Sequence, residues 1–168
     1  MFVATVLWAV AATLSPQDPP IQTLLVSGAN NHDWKWTSPA IAAVLEESGR
    51  FDVTITYDPG QDLPSVAEQH AAGKLDLIVL DYNGRRWGEA AEAAFLQAVQ
   101  AGCGVTIIHA ADNAFTGWHE YEIMVGLLWR NGTGHGRYHP FDVVVVDHNH
   151  PITRTLPTLT EHPDELYH

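Results

Sequence analysis

The chain is poor in cysteine and in basic residues. A single cysteine, Cys103, among 168 residues rules out an internal disulfide and a cysteine-built metal cage. Only 8 lysines and arginines stand against 20 acidic residues, a net charge of −12. A phosphate backbone or an anionic membrane needs a basic face, so nucleic acid and anionic lipid are poor partners. The balance suits a neutral or cationic small ligand, or a solvated acidic surface. No GxGxxG follows the first apolar run, and the Gly28 loop lacks the glycine spacing of a phosphate cradle. No HExxH is present, nor any internal repeat or low-complexity segment. The one long apolar run, Phe2 to Leu14, is too short to span a bilayer. Ala9-Val10-Ala11 gives it a small-x-small cleavage pattern, although no Lys or Arg precedes it. Residues 1–20 therefore read as a secretory signal peptide and linker, and 21–168 as one domain. Export to the periplasm or outside follows if that leader is real, and a cytoplasmic location if it is not.

What is present is an alternation of apolar runs and helical patterns. Thr23 to Ser27, Phe51 to Tyr57, Leu75 to Leu80 and Val105 to Ile108 read as strands. Helices are expected after Thr37 or Ser38 with Pro39 at the first position, over Leu63 to Ala72, and over Trp87 to Gln100. This order predicts an α/β domain with a mainly parallel sheet. Val105 to Ile108 is expected to be buried on both faces. A short helix over Trp118 to Leu128 follows, then a glycine- and histidine-rich loop to Pro140 and a fifth strand over Phe141 to Val146. The end of the chain shows no closing helix or strand.

Parallel strands bring their carboxyl ends to one edge, where ligands bind. Three of these ends carry polar residues: Asn31, His32 and Asp33; Asp81, Tyr82 and Asn83; His109 and Asp112. They form a pocket or cap turns and helices. His109 can serve there as a general base, a nucleophile or a metal ligand, or it can bond a neighbouring carbonyl. Cys103 lies about 20 Å from His109 along an extended strand, at the other end, and reads as a buried thiol. His135, His139 and Glu120 could hold zinc with a position open for water, but their spacing matches no known motif. The expected cofactor is therefore none, with zinc as the variant. Trp34, Trp36, Trp87, Trp118 and Trp129 flank the loops. They are core filler or platforms for the apolar faces of a sugar.

The set GANNHDW (28–34), LDLIVLDYNG (75–84), GCGVTIIHAADNAF (102–115), Trp118 with Glu120-Tyr121, HPIT (150–153) and PDELYH (163–168) resembles the ThuA-like family, named for trehalose utilisation. The resemblance implies a flavodoxin-like three-layer sandwich, similar to class I glutamine amidotransferases and truncated here at the C-terminus. Where amidotransferases carry a catalytic cysteine after a strand, this chain carries His109. Glutamine hydrolysis is thereby not expected. The resemblance implies a role with a disaccharide or keto-sugar, of hydrolase or lyase type. It implies His109, His32 and Glu120 as catalytic residues, and Trp34, Tyr82, Trp118, His150, Asp164 and Glu165 as substrate contacts. The alternative is a non-catalytic sugar-binding or interaction module on the same fold. The expected partner is a small carbohydrate, and the oligomeric state stays open.

Overall fold

Strand β1 (Ile21–Val26) is the centre of the molecule, and Leu24, Leu25 and Val26 on it are buried. A computed structural model describes residues 18–168. Of the expected leader and linker, residues 1–17 lie outside the described residues. β1 pairs in parallel with β2 (Phe51–Thr56) on one side and β3 (Leu77–Leu80) on the other, and β4 (Gly104–Ile107) follows β3. The order is β2-β1-β3-β4. Val26 faces both Thr56 and Leu80, and Leu80 faces Ile107. The four strands thus end level, and the loops that follow them open on one edge.

The expected burial of β4 on both faces is not what the structure has. β4 is an edge strand, with Thr106 exposed and Val105 and Ile107 half-buried. Among the described residues no strand pairs with its outer side. The fully buried, continuous apolar strand is β3, where Ile78, Val79 and Leu80 are all covered.

Helix α1 (Trp34–Glu47) covers one face, with Ala42 packed on Leu25 and Val79. It starts earlier than expected, because Asp33 takes the capping position and its carbonyl accepts from Trp36 and Thr37. Pro39 therefore sits inside the helix and forgoes one intrahelical hydrogen bond. The Thr37 and Ser38 hydroxyls have other partners, described below. On the opposite face lie α2 (Pro59–Asp62), a 3-10 turn Leu63–Ser65, α3 (Val66–Ala71) and α4 (Glu89–Gln100). Leu63, Val66, Ala91, Phe95 and Ala98 form the core there with Ile78 and Leu80. The result is a parallel sheet with helices on both faces, a flavodoxin-like arrangement.

Gly28 ends the first strand at φ +105°, and a Cβ on it would stand 2.3 Å from the Tyr57 carbonyl oxygen. Both the left-handed backbone and the close approach require glycine. Gly28→Ala is expected to cost about 3 kcal/mol. The shift of the urea unfolding midpoint measures it.

The end of the chain also departs from expectation. β5 (His139–Val143) does not join the parallel sheet. It pairs antiparallel with β6 (Leu159–Asp164), so the end of the chain does contain a strand. All six residues of β6 are exposed, and Pro163 lies opposite Pro140. Main-chain pairing rather than burial defines this strand, so it carries no apolar alternation. No described helix is long and apolar enough to cross a membrane.

Candidate functional site

The cleft is assembled on the buried carboxyl group of Asp81, at the end of β3. Asp81 accepts hydrogen bonds from Asn30 Nδ2 at 2.8 Å, Thr37 Oγ1 at 2.7 Å and Ser38 Oγ at 2.6 Å. Ser38 also meets Ser27 Oγ at 2.6 Å. One acid thus binds the loop after β1 to the first turns of α1 and to β3. The loop is held again by Asn83, whose backbone N–H donates to Ala29 and whose side chain donates to Asn31. His32 is carried at the far side of this loop.

β4 leaves the sheet through a 3-10 turn, His109–Asn113. His109 has φ 42° and Phe115 has φ 54°, so left-handed residues bracket the turn. Three side-chain donors fix the carbonyls between them. Tyr121 of α5 (His119–Val125) donates to Ala111 O at 2.7 Å. The Arg130 guanidinium donates to Asp112 O at 3.2 Å and Ala114 O at 3.1 Å, and pairs with Glu122 at 3.0 Å. Burial pushes the Tyr121 phenol far above its ordinary range, so it remains a donor.

The third wall comes from the end of the chain. Gly134 and His168 exchange two backbone hydrogen bonds of 2.8 Å, and Gly136 N–H donates to Leu166 O at 2.9 Å. Tyr167 is thereby placed edge-on to His109, with centroids 6.0 Å apart, and against Trp129 at 5.6 Å. The rings of His32 and His109 lie side by side at 4.6 Å. The cleft measures about 590 Å³, and Asn31, Asp112, His135 and Glu165 also line it. His135 Nδ1 is 3.4 Å from Glu165, whose other oxygen accepts from the Tyr167 hydroxyl at 3.2 Å.

Of the residues singled out in the sequence, Asn31, His32, His109, Asp112, Trp129, His135 and Glu165 line the cleft. The others stand elsewhere. Tyr82 and Trp118 are buried in an aromatic core with Trp87, Phe115 and Tyr121. Tyr82 gives its hydroxyl to Arg85 O at 2.9 Å. Glu120 is exposed on α5. Trp34 packs on Tyr57 near the β2 edge. His150 accepts from Ile152 N–H in an exposed turn, and Asp164 accepts from Glu165 N–H. The contact missed is Tyr167; Asp112 and Trp129 are among the strand-end and loop-flanking residues named above. For Tyr167 the only signal was its place within PDELYH.

Cys103 is buried before β4, and burial pushes its thiol up to about 11. It is protonated at neutral pH and remote from the cleft. Among the described residues no group of three or more His, Cys, Asp or Glu side chains is placed to hold a metal ion.

The family model described as trehalose utilisation, ThuA, matches residues 22–168. A solved ThuA-like protein from Parabacteroides merdae ATCC 43184 is 36% identical, with a TM-score of 0.74 over 89% of this chain and 63% of its own. A second, from Bacteroides uniformis ATCC 8492, is 19% identical with a TM-score of 0.64, over 92% of this chain and 64% of its own, and bears on the fold alone. The chain thus spans less than two thirds of the length of either. No curated protein matches. With the match running through every segment that builds the cleft, the chain belongs to the ThuA family.

Proposed function

We propose that this protein acts on a carbohydrate, a disaccharide or keto-sugar, as a hydrolase or lyase with His109 as acid/base and His32 beside it. The observation that carries this is the pair of imidazoles, 4.6 Å apart, within a cleft walled by Trp129 and Tyr167. The cleft's volume, about 590 Å³, lies in the range of small-molecule sites. Indole and phenol rings suit the apolar faces of a sugar, while Asn31, Asp112 and Glu165 offer partners for its hydroxyls. The family's description as trehalose utilisation supports the same class of ligand. The protonated, distant Cys103 speaks against a cysteine nucleophile and against glutamine hydrolysis.

A sugar-binding module without turnover is the second reading. One observation favours it: neither imidazole of the pair is hydrogen-bonded to an orienting carboxylate among the described residues.

The test is a product assay with trehalose, other disaccharides and their 3-keto forms, with and without zinc, alongside calorimetric binding. Product is the expected outcome. Binding without product selects the module. Neither binding nor product from folded protein defeats the carbohydrate assignment.

A further inference from the structure

We propose that Asp112 is the second catalytic group of this cleft, the carboxyl that works with His109 in the role the resemblance implied for Glu120. The proposal rests on the carbohydrate assignment above. Residues three apart on a 3-10 turn stand on the same face. His109 and Asp112 are so spaced, and both line the cleft. Glu120 does not line it.

The turn between them cannot drift. Its carbonyls at Ala111, Asp112 and Ala114 are each held by Tyr121 or Arg130. These bonds use the main chain of Asp112, and among the described residues its carboxyl makes no hydrogen bond. The cleft's other carboxyl, Glu165, is already occupied by the Tyr167 hydroxyl and by His135. Two acids in one site with different partners suit different tasks. Glu165 shapes the wall, and Asp112 is free to meet a ligand.

The groups that act on Asp112 come from every side. They are His109 on its own turn, Tyr121 of α5, Arg130 beyond it, and Tyr167 of the last segment. Burial raises the Asp112 pKa, and the charges of His109 and Arg130 pull it partly back. The net direction is upward. In hydrolysis, water oxygen bonds to the anomeric carbon as the bond to the leaving oxygen breaks. His109 takes the water's proton, and Asp112 gives its own to the leaving oxygen. Return of one proton from His109 to Asp112 through solvent restores the starting state. In an elimination His109 takes a proton from the carbon next to the one bearing the leaving oxygen, the C–H electrons form a C=C bond, the C–O bond breaks, and Asp112 gives its proton to the leaving oxygen. Neither course needs an oxidant or reductant.

Two measurements test the pairing. The first needs no sugar: the Asp112 carboxyl carbon is titrated by 13C NMR in the full chain and in His109→Gln. Loss of the imidazolium is expected to raise the midpoint by about half a pH unit. A midpoint that stays in place overturns the pairing. The second uses whichever sugar the wild type processes. Asp112→Asn is expected to lower kcat about 100-fold with little change in KM, and Asp112→Glu to recover part of it. The melting temperature should hold, because the carboxyl makes no structural bond. Asp112→Asn with kcat within threefold of wild type, or a loss confined to Glu120→Gln, overturns the proposal. If the wild type processes no sugar, the catalytic reading falls, and the titration alone decides whether the two groups are coupled.

Discussion

Replacing His109 by alanine should lower kcat by about 10³-fold while the fold survives. Proton transfer by a positioned side chain contributes roughly 10²- to 10⁴-fold, and His109 holds the central place in the cleft. Its ring touches those of His32 and Tyr167, and its backbone opens the pinned turn. No core residue leans on it, because the ring is exposed to the cleft. The melting temperature should therefore change by no more than about 2 °C, the effect of a surface substitution. Steady-state kinetics and a thermal melt on the same preparation check both halves. Unchanged kinetics in this variant would remove His109 from the chemistry.

Asp81→Ala should do the reverse, acting first on stability. Three donors converge on this one buried carboxyl group, from Asn30, Thr37 and Ser38. Removing it leaves Asn30 and Thr37 without this partner and Ser38 with Ser27 alone, in a site with little access to water, at about 1 kcal/mol or more apiece. A total of about 3 kcal/mol corresponds to a fall of roughly 10 °C in melting temperature for a chain of this size. The loop that carries His32 loses its anchor in the same step, so ligand affinity should weaken even where the protein remains folded. Differential scanning calorimetry gives the first effect and ligand titration below the melting range gives the second. A melting temperature within 2 °C of wild type would mean that the convergence on Asp81 is not a structural hub.

The parallel sheet was legible because β1 and β3 are buried on both sides, and such strands carry continuous apolar runs. The strand order of the motif then placed His32 and His109 at the same edge. Ser38 misled because serine followed by proline resembles a helix start, whereas its hydroxyl is drawn to Asp81. Glu120 misled for a different reason. α5 is only 7 residues long, too short for a periodic pattern to say which side faces inward. The structure turns Tyr121 into the core and leaves Glu120 outside. Aromatic residues beside polar loops were equally ambiguous. Tyr82 and Trp118 joined the core, while Trp129 faces the cleft. Tyr167 was the least accessible to local pattern, since main-chain pairing with a segment around Gly134 positions it.

That pairing sets an order of events for a chain leaving the ribosome. The sheet needs only residues up to β4, and its strands can associate while later residues are still being synthesised. The contact of Tyr167 with His109 forms only after its segment has emerged and paired around Gly134. Until then the sheet and its two histidines face an open edge, and the cleft lacks one side. Ligand capture thereby waits on a main-chain pairing made later than the sheet itself.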